Sequence, residues 1–314
     1  MKRFQNILVP LDTRFEEHPA LQWAAQLAEH NRANLKIIDV VPELSWIARL
    51  VLSDGDHVQQ ALLADKRRRL DELAVSLRGR GIDVSTEVLT GKTSHVIVDE
   101  VVRSRHDLVV RVTKGAHSEA TGFFGTTSMQ LLRTCPCAVW LVRPDGQPHF
   151  RKVLAAIDPS PNNVVGDRLN KSIMELGMSI ADYEDGEFHI VHSWKLFAAR
   201  TLKSRFKPDE FAEFEGQAET AIAAALDKFL SPYGLDHQSE RVHLIRDEIG
   251  PGQSISALVE KEQMDLVVMG TVARSGVTGL LMGNTAEHVL DQVQRPVLTL
   301  KPDGFVSPVT LTND

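Results

Sequence analysis

Asp265-Leu266-Val267-Val268 repeats Asp107-Leu108-Val109-Val110 letter for letter, and the reading of that pair decides the architecture. Other landmarks recur around it in the same order. Upstream, Val153-Leu154-Ala155-Ala156-Ile157-Asp158 answers Ile7-Leu8-Val9-Pro10-Leu11-Asp12, each a short apolar run ending in Asp. Downstream, Gly283-Asn284-Thr285 answers Gly125-Thr126-Thr127, and each half closes on Pro and an apolar run, at residues 136–142 and 296–300. Landmarks in one order, at spacings that drift only by loop-sized insertions, mark an internal duplication.

Between the landmarks each half alternates strand and helix patterns. Ala20, Leu21, Ala24, Leu27 and Ala28 follow helical spacing, as do Leu169, Ile173, Leu176 and Ile180. Second strands are expected at residues 35–41 and 188–194. Longer helices follow, with Leu63, Leu70, Leu73, Ala74 and Leu77 on one face and Ile222, Leu226 and Phe229 in the counterpart. Third strands at 84–89 and 241–245 lead to helices at 94–105 and 254–261, for which Ser94 and Ser254 suit the N-cap. Short apolar strands alternating with helices predict a parallel sheet covered on both faces. Right-handed crossovers then give two tandem doubly wound α/β domains, each with a five-stranded, mostly parallel sheet flanked by helices. Any ligand belongs at the carboxyl ends of the strands. The expected boundaries are 1–145 and 151–303, with a linker at 146–150 and a tail at 304–314.

The bulk numbers narrow the function. The 314 residues suit two ordinary domains, and 43% hydrophobic with 25% charged residues is the balance of a globular protein. A net charge of −7 argues against a general nucleic-acid binder. Lys66-Arg67-Arg68-Arg69 is the concentrated basic run, read as a solvated helix face. The chain runs from Met1 into a strand pattern without a signal peptide, and no apolar stretch approaches the ~20 residues of a membrane helix. A cytoplasmic protein without membrane insertion is therefore expected. Cys135 and Cys137 flank Pro136 and build neither a disulfide framework nor a metal site, which fits a reducing compartment.

Two kinds of candidate site stand out. Asp12 and Asp158 each end a first strand, where a carboxylate can face a ligand crevice or help hold Mg²⁺; a turn-forming or capping Asp is the competing reading. After each fourth strand comes a glycine-bearing loop that opens a helix. It runs through Gly270, Ala273 and Arg274 to Gly283, Asn284 and Thr285 in the second half, and through Val112 and Gly115 to Gly125, Thr126 and Thr127 in the first. Backbone amides and the helix dipole make such a loop an anion site, with Thr126 or Asn284 as the cap and Thr127 or Thr285 as hydroxyl donors. The competing reading is a capped helix start of the ordinary kind.

Other motifs carry less. Gly91-Lys92-Thr93 resembles the end of a P-loop, but the leading glycine would fall at Thr86, so the motif is an ordinary turn. No Gly-x-Gly-x-x-Gly follows either first strand, which disfavours a dinucleotide dehydrogenase. Thiols at i and i+2 need unusual geometry to bond, so Cys135 and Cys137 are read as buried structural cysteines. His189, His192 and His243 lack a recognised ligand spacing. Leu44, Trp46, Ile47, Leu50, Val51 and Leu52 read as core packing or as a lid over an apolar ligand.

The loops resemble those of the universal stress proteins. ATP-binding members of that family carry Gly, two residues, Gly, nine residues, Gly, then Ser or Thr after the fourth strand. Here the spacing is kept by Gly270, Ala273, Gly283 and Asn284 in one half and by Val112, Gly115, Gly125 and Thr126 in the other, each half losing one glycine. The resemblance spans residues 4–143 and 151–302. With Leu131-Leu132-Arg133-Thr134-Cys135-Pro136-Cys137 in the first half, it looks most like the tandem E-type bacterial members. It implies a non-catalytic stress-response protein that takes ATP, with Mg²⁺, beside Asp158 and Ser193. Met269 and Gly270 would lie near base and ribose, and Gly283, Asn284 and Thr285 would take the phosphates. The first-half counterparts are Asp12, Val40, Arg111, Val112, Gly115, Gly125, Thr126 and Thr127. Ala273 adds one methyl where backbone approaches phosphate, and Arg274 supplies a cation. Val112 puts a branched side chain near the sugar, and Arg111 replaces an apolar neighbour. The second domain is thus the better expected site. Rival expectations are a small-molecule or lipid-binding module with degenerate nucleotide sites, and a weak ATPase. Family members commonly pair through their fifth strands, so the two copies are expected to pair within the chain, across 138–142 and 297–301, as an internal pseudo-dimer.

Overall fold

The computed structural model describes residues 4–42, 55–113, 123–144, 149–160, 163–196, 198–247, 252–272 and 282–309. The apolar runs form β1 (Asn6–Leu11), β2 (Asn34–Val41), β3 (Val84–Thr90), β4 (Leu108–Val112) and β5 (Ala138–Val142) in the first half. The second half repeats them as β6 (Lys152–Ala156), β7 (Glu187–Trp194), β8 (Val242–Arg246), β9 (Leu266–Gly270) and β10 (Val297–Leu300). The connecting helices are α1 (Pro19–Asn31), α2 (Gly55–Gly79), α3 (Thr93–Ser104), α4 (Thr126–Thr134), α5 (Val164–Tyr183), α6 (Ala199–Arg205), α7 (Pro208–Leu230), α8 (Gln253–Lys261) and α9 (Asn284–Gln292). The short α6 has no counterpart in the sequence reading.

All described strands join one sheet in the order β3-β2-β1-β4-β5-β10-β9-β6-β7-β8. Each half is parallel throughout, and the two meet where β5 and β10 run antiparallel, Trp140 opposite Leu298 and Val139 opposite Thr299. The fifth strands of the two copies therefore pair within the chain. The repeated Asp of the opening motif has a visible task. The Asp107 carboxylate accepts from the N–H groups of Gln5 and Asn6 at 2.7 and 3.1 Å, and Asp265 accepts from Lys152 N–H at 2.9 Å. Each Asp thus satisfies backbone donors at the start of the neighbouring first strand, which a sheet end would otherwise leave open.

Side chains alternate between two covered faces, so the strands read as unbroken apolar runs. Ile37, Val110, Trp140 and Leu298 join one core under α1, α2, α5 and α7, while Ile38, Val109, Leu141 and Val297 join the other under α3, α4, α8 and α9. Each core contains residues of both halves, so the seam is packed on both sides of the sheet. On the first face Trp23 of α1 meets the Trp140 ring edge-on at 4.9 Å and the Phe150 ring at 5.0 Å.

Helix starts differ from the expectation by a residue or two. Lys92 and Gly252 hold the N-cap positions of α3 and α8, so Ser94 and Ser254 lie inside the first turn. Ser94 is buried, and Ser254 Oγ instead reaches Asp247 Oδ1 at 3.4 Å. Gly91 is an ordinary turn residue: its φ of +136° suits glycine, and its N–H donates to Val41 O at 3.0 Å.

A buried polar cluster at the amino ends of β2 and β4 contributes to acid sensitivity. Glu100 Oε1 lies 2.8 Å from Lys36 Nζ and 3.0 Å from His106 Nε2, and Glu100 is 6% exposed. Burial alone would raise this carboxyl, but hydrogen bonds from His106, Lys36 and Ser104 outweigh it and hold it at about 2. A depressed carboxyl stabilises the fold above its unfolded pKa and loses that contribution as pH falls through the folded value. Acid unfolding followed by circular dichroism should therefore show Glu100→Gln removing a stability increment of about 3 kcal/mol at pH 7, with the gap to the parent chain closing between pH ~4.5 and ~2.

Candidate functional site

In each half the strand order reverses direction beside the first strand, between β1 and β4 and between β6 and β9. The crevice beyond the carboxyl ends of those strands is where a doubly wound sheet takes a ligand. In the second half Asp158 lies two residues past β6, and its N–H donates to Asn170 Oδ1 of α5 at 3.0 Å. Its side chain is 47% exposed, at the mouth of the crevice. His192 Nδ1 lies 3.8 Å from Asp158 Oδ1 but bonds the Ile157 carbonyl at 3.1 Å. Burial holds His192 below the usual histidine range, so the neutral ring donates to that carbonyl.

Ser193 follows on β7, on the same face as Val191 by strand alternation. Its Oγ is buried and has no hydrogen-bond partner among the described residues. Met269, near the end of β9, lies in the core on that face. At Gly270 a Cβ would come within 2.8 Å of Leu169 Cδ2 on α5. Its missing side chain admits α5 on the opposite face of the sheet. Val112, its counterpart, packs its side chain against that same core.

Beyond β9 the chain leaves the sheet at Val272 and returns through a bridge to Met282. Ala273 and Arg274 lie outside the described residues, as does Gly115 in the first half. Gly283 is the N-cap of α9, with φ −64° and ψ 143°, and its N–H donates to Thr271 O at 3.0 Å. Gly125 does the same for α4, donating to Thr113 O at 2.8 Å. Asn284 and Thr126 are therefore the first helical residues and not the caps, a correction to the expectation. No side chain among the described residues caps either helix, so the leading amides keep their donors for an incoming group. Asn284, Thr285 and Thr126 are exposed, and Thr127 is half-buried.

The first crevice is built differently. The Asp12 carboxylate is held by Arg14, whose Nε approaches Oδ1 at 2.9 Å and whose Nη2 approaches Oδ2 at 2.5 Å. Behind it, buried Asp39 accepts from Lys66 Nζ at 2.6 Å, from Thr13 Oγ1 at 2.7 Å and from Thr13 N–H at 2.8 Å. The basic run is thus not wholly a solvated face: Lys66 turns inward, and Arg69 Nη1 donates to Thr13 O at 3.0 Å. Arg111 takes the place of Met269; its Nε is buried without a hydrogen-bond partner among the described residues. Burial pulls its guanidinium below the usual arginine range, and Asp12 and Asp39 oppose that shift. Val40 stands where Ser193 stands in the other half and is buried in the core.

The family model "Universal stress protein family" matches residues 3–143 and again 149–301. The chain belongs to the universal stress protein family. It is similar to Universal stress protein E of Photorhabdus laumondii, 25% identical over 314 residues with 98% of both chains covered. It is also similar to Universal stress protein E of Escherichia coli K12, 26% identical over 321 residues, covering 100% of this chain and 99% of that one. A functionally unknown protein from Pseudomonas aeruginosa PAO1 shares the fold, with a TM-score of 0.70, 24% identity and 96% and 94% of the two chains covered. The two-domain E-type arrangement thus runs through the whole chain, and the protein is a stress-response protein by family. Among the described residues no helix is long and apolar enough to cross a membrane.

Features outside the two crevices sort themselves in this family frame. His189 Nδ1 and His243 Nε2 are 3.2 Å apart with stacked rings, while His192 faces the other side of the sheet. The apolar segment that includes Leu44 and Leu52 lies outside the described residues. The expectation for the cysteines needs correcting. Cys135 is the C-cap of α4 and Cys137 precedes β5, so neither is a strand residue, and the turn between them brings their sulfurs to 3.5 Å. A cavity of about 320 Å³ at the seam between α1 and α5, lined by Trp23, Asn31, Trp140 and Tyr183, was not legible either.

Proposed function

We propose that this universal stress protein binds ATP or a related nucleotide, with Mg²⁺, in the second-domain crevice and acts in the cytoplasm as a non-catalytic stress-response protein. The orphaned Ser193 Oγ carries this reading, because a buried hydroxyl without a partner costs free energy that a ribose or base donor would recover. The uncapped start of α9 beside Gly283, Asn284 and Thr285 supplies amide donors and a helix dipole for phosphate. Half-exposed Asp158 supplies an acceptor for a ribose hydroxyl or a ligand for Mg²⁺. Met269, buried in the core near the end of β9, keeps the floor of the crevice apolar, and Ala273 and Arg274 belong to the proposed phosphate loop by spacing. The first crevice is the weaker candidate, since Asp12 is already held by Arg14 and the Arg111 cation sits where Met269 sits in the other half.

Binding without hydrolysis is supported by the titratable groups near the start of α9. Glu287 pairs with Arg133 at 2.5 Å and His288 Nδ1 bonds Asn284 O at 2.9 Å, so both titratable groups are engaged elsewhere. Titration calorimetry of the full chain with ATP and Mg²⁺ should show saturable heat, weakened about tenfold by Asp158→Ala, as expected for one lost charged hydrogen bond. Heat absent at millimolar nucleotide would sink the nucleotide reading, and phosphate release above background would sink its non-catalytic part.

A further inference from the structure

The two cysteine sulfurs sit in a surrounding that neither half supplies alone. Pro136 fixes the turn between Cys135 and Cys137, and Cys135, at φ −69° and ψ 128°, closes α4 with its N–H on Leu131 O. From the second half, Lys301 Nζ donates to Leu132 O at 2.6 Å and to Thr271 Oγ1, which plants a cation at the carboxyl end of α4. Cys135 is fully buried. Cys137 is half-buried and lines a cavity of about 480 Å³ whose opposite wall is Phe305, Val306 and Val309 of the tail. A small oxidant thus has a route to Cys137, and the Cys135 sulfur lies 3.5 Å behind it.

We propose that Cys135 and Cys137 are a redox-active dithiol, which a small hydroperoxide converts to a disulfide within the chain. The chemistry around the sulfurs fits. Burial alone would raise the Cys135 thiol, but hydrogen bonds from the Cys137 side chain and backbone, together with Lys301, outweigh it and hold it below an ordinary cysteine. Burial and the neighbouring Cys135 push the Cys137 thiol up, so Cys135 is the sulfur that loses its proton first. Burial brings Lys301 down to about 8, which equips it to give up a proton near neutrality.

In the first step the Cys135 thiolate attacks one peroxide oxygen. The S–O bond forms, the O–O bond breaks, and the leaving hydroxide takes a proton from Lys301 to become water. In the second step Cys137 attacks the sulfenic sulfur: the S–S bond forms, the S–O bond breaks, and hydroxide leaves with the Cys137 proton as water. With hydrogen peroxide, two thiols and one peroxide thus give one disulfide and two waters, the sulfurs supplying two electrons. Dithiols of this kind in reducing compartments are transient and redox-sensing.

The test uses the reduced full chain, one equivalent of hydrogen peroxide, then alkylation with N-ethylmaleimide and intact mass. The expected product is a monomer lighter by two hydrogens that takes no alkyl group until dithiothreitol restores both sites. In guanidinium chloride, where Lys301 no longer faces Cys135, oxidation should be about tenfold slower, and the folded Cys137→Ser chain should yield a dimedone-trapped sulfenic acid on Cys135. Two alkylated cysteines after peroxide, equal rates in folded and denatured chain, or a disulfide between chains would each overturn the proposal.

Discussion

Lys66→Met is expected to destabilise the first domain by about 3–5 kcal/mol, the cost of leaving a buried carboxylate without its cation. Asp39 is 2% exposed and Lys66 7%, at 2.6 Å, so water cannot replace the lost partner. Only the two bonds from Thr13 would remain on that oxygen. The same pair on the surface would contribute at most about 1 kcal/mol, so the size of the loss separates the two descriptions. The double variant Asp39→Leu with Lys66→Met should recover most of it, because a buried pair exchanged for apolar groups of similar volume is close to neutral. Urea titrations of the parent, single and double variants supply both numbers. A single-variant loss below 1 kcal/mol would show that Lys66 is solvated.

Trp140→Ala should cost about 3–5 kcal/mol and should act on both halves at once. Trp140 is 1% exposed and sits on β5, opposite Leu298 of the other copy, with the Trp23 ring at 4.9 Å and the Phe150 ring at 5.5 Å. Deleting the indole leaves a void at the seam, so hydrogen exchange should quicken in β10 as well as in β5. Trp140→Phe should cost much less. The indole Nε1 is buried without a hydrogen-bond partner among the described residues, and removing an unpaired donor returns part of what the lost area costs. Equal losses for the two variants would mean that the indole nitrogen is hydrogen-bonded. Unchanged exchange in β10 would mean that the halves fold without reference to each other.

The repeat and its strands were legible because strands buried on both faces carry no polar interruption, and Ile7, Leu8 and Val9 are all fully buried. Pairing through the fifth strands was legible through the family resemblance and not through spacing. Lys66 was misread because a run of four basic residues looks solvated. Its position three after Leu63 and four before Leu70 places it on the apolar stripe of α2, and that was the available signal. Asp39, alone among Ile37, Ile38, Val40 and Val41, was the matching one. The contact between the cysteine sulfurs was missed because both were read as strand residues, and both lie outside β5. The helix starts slipped because glycine in extended conformation can cap as well as the Thr or Asn beside it, and one residue decides which group faces the loop.

Divergence between the crevices is the centre of the functional account. One crevice presents Asp158, an unpartnered Ser193 hydroxyl and apolar Met269, and the other an Asp12–Arg14 pair, apolar Val40 and the Arg111 cation. Duplication has preserved the sheet and the seam while the residues at the two crevices have changed. The crystal structure of the full chain grown with ATP and Mg²⁺ tests this most directly. The account predicts nucleotide density at Asp158, Ser193 and the start of α9, with none at Asp12 and Arg111. Nucleotide in the first crevice alone, or in neither, would contradict it.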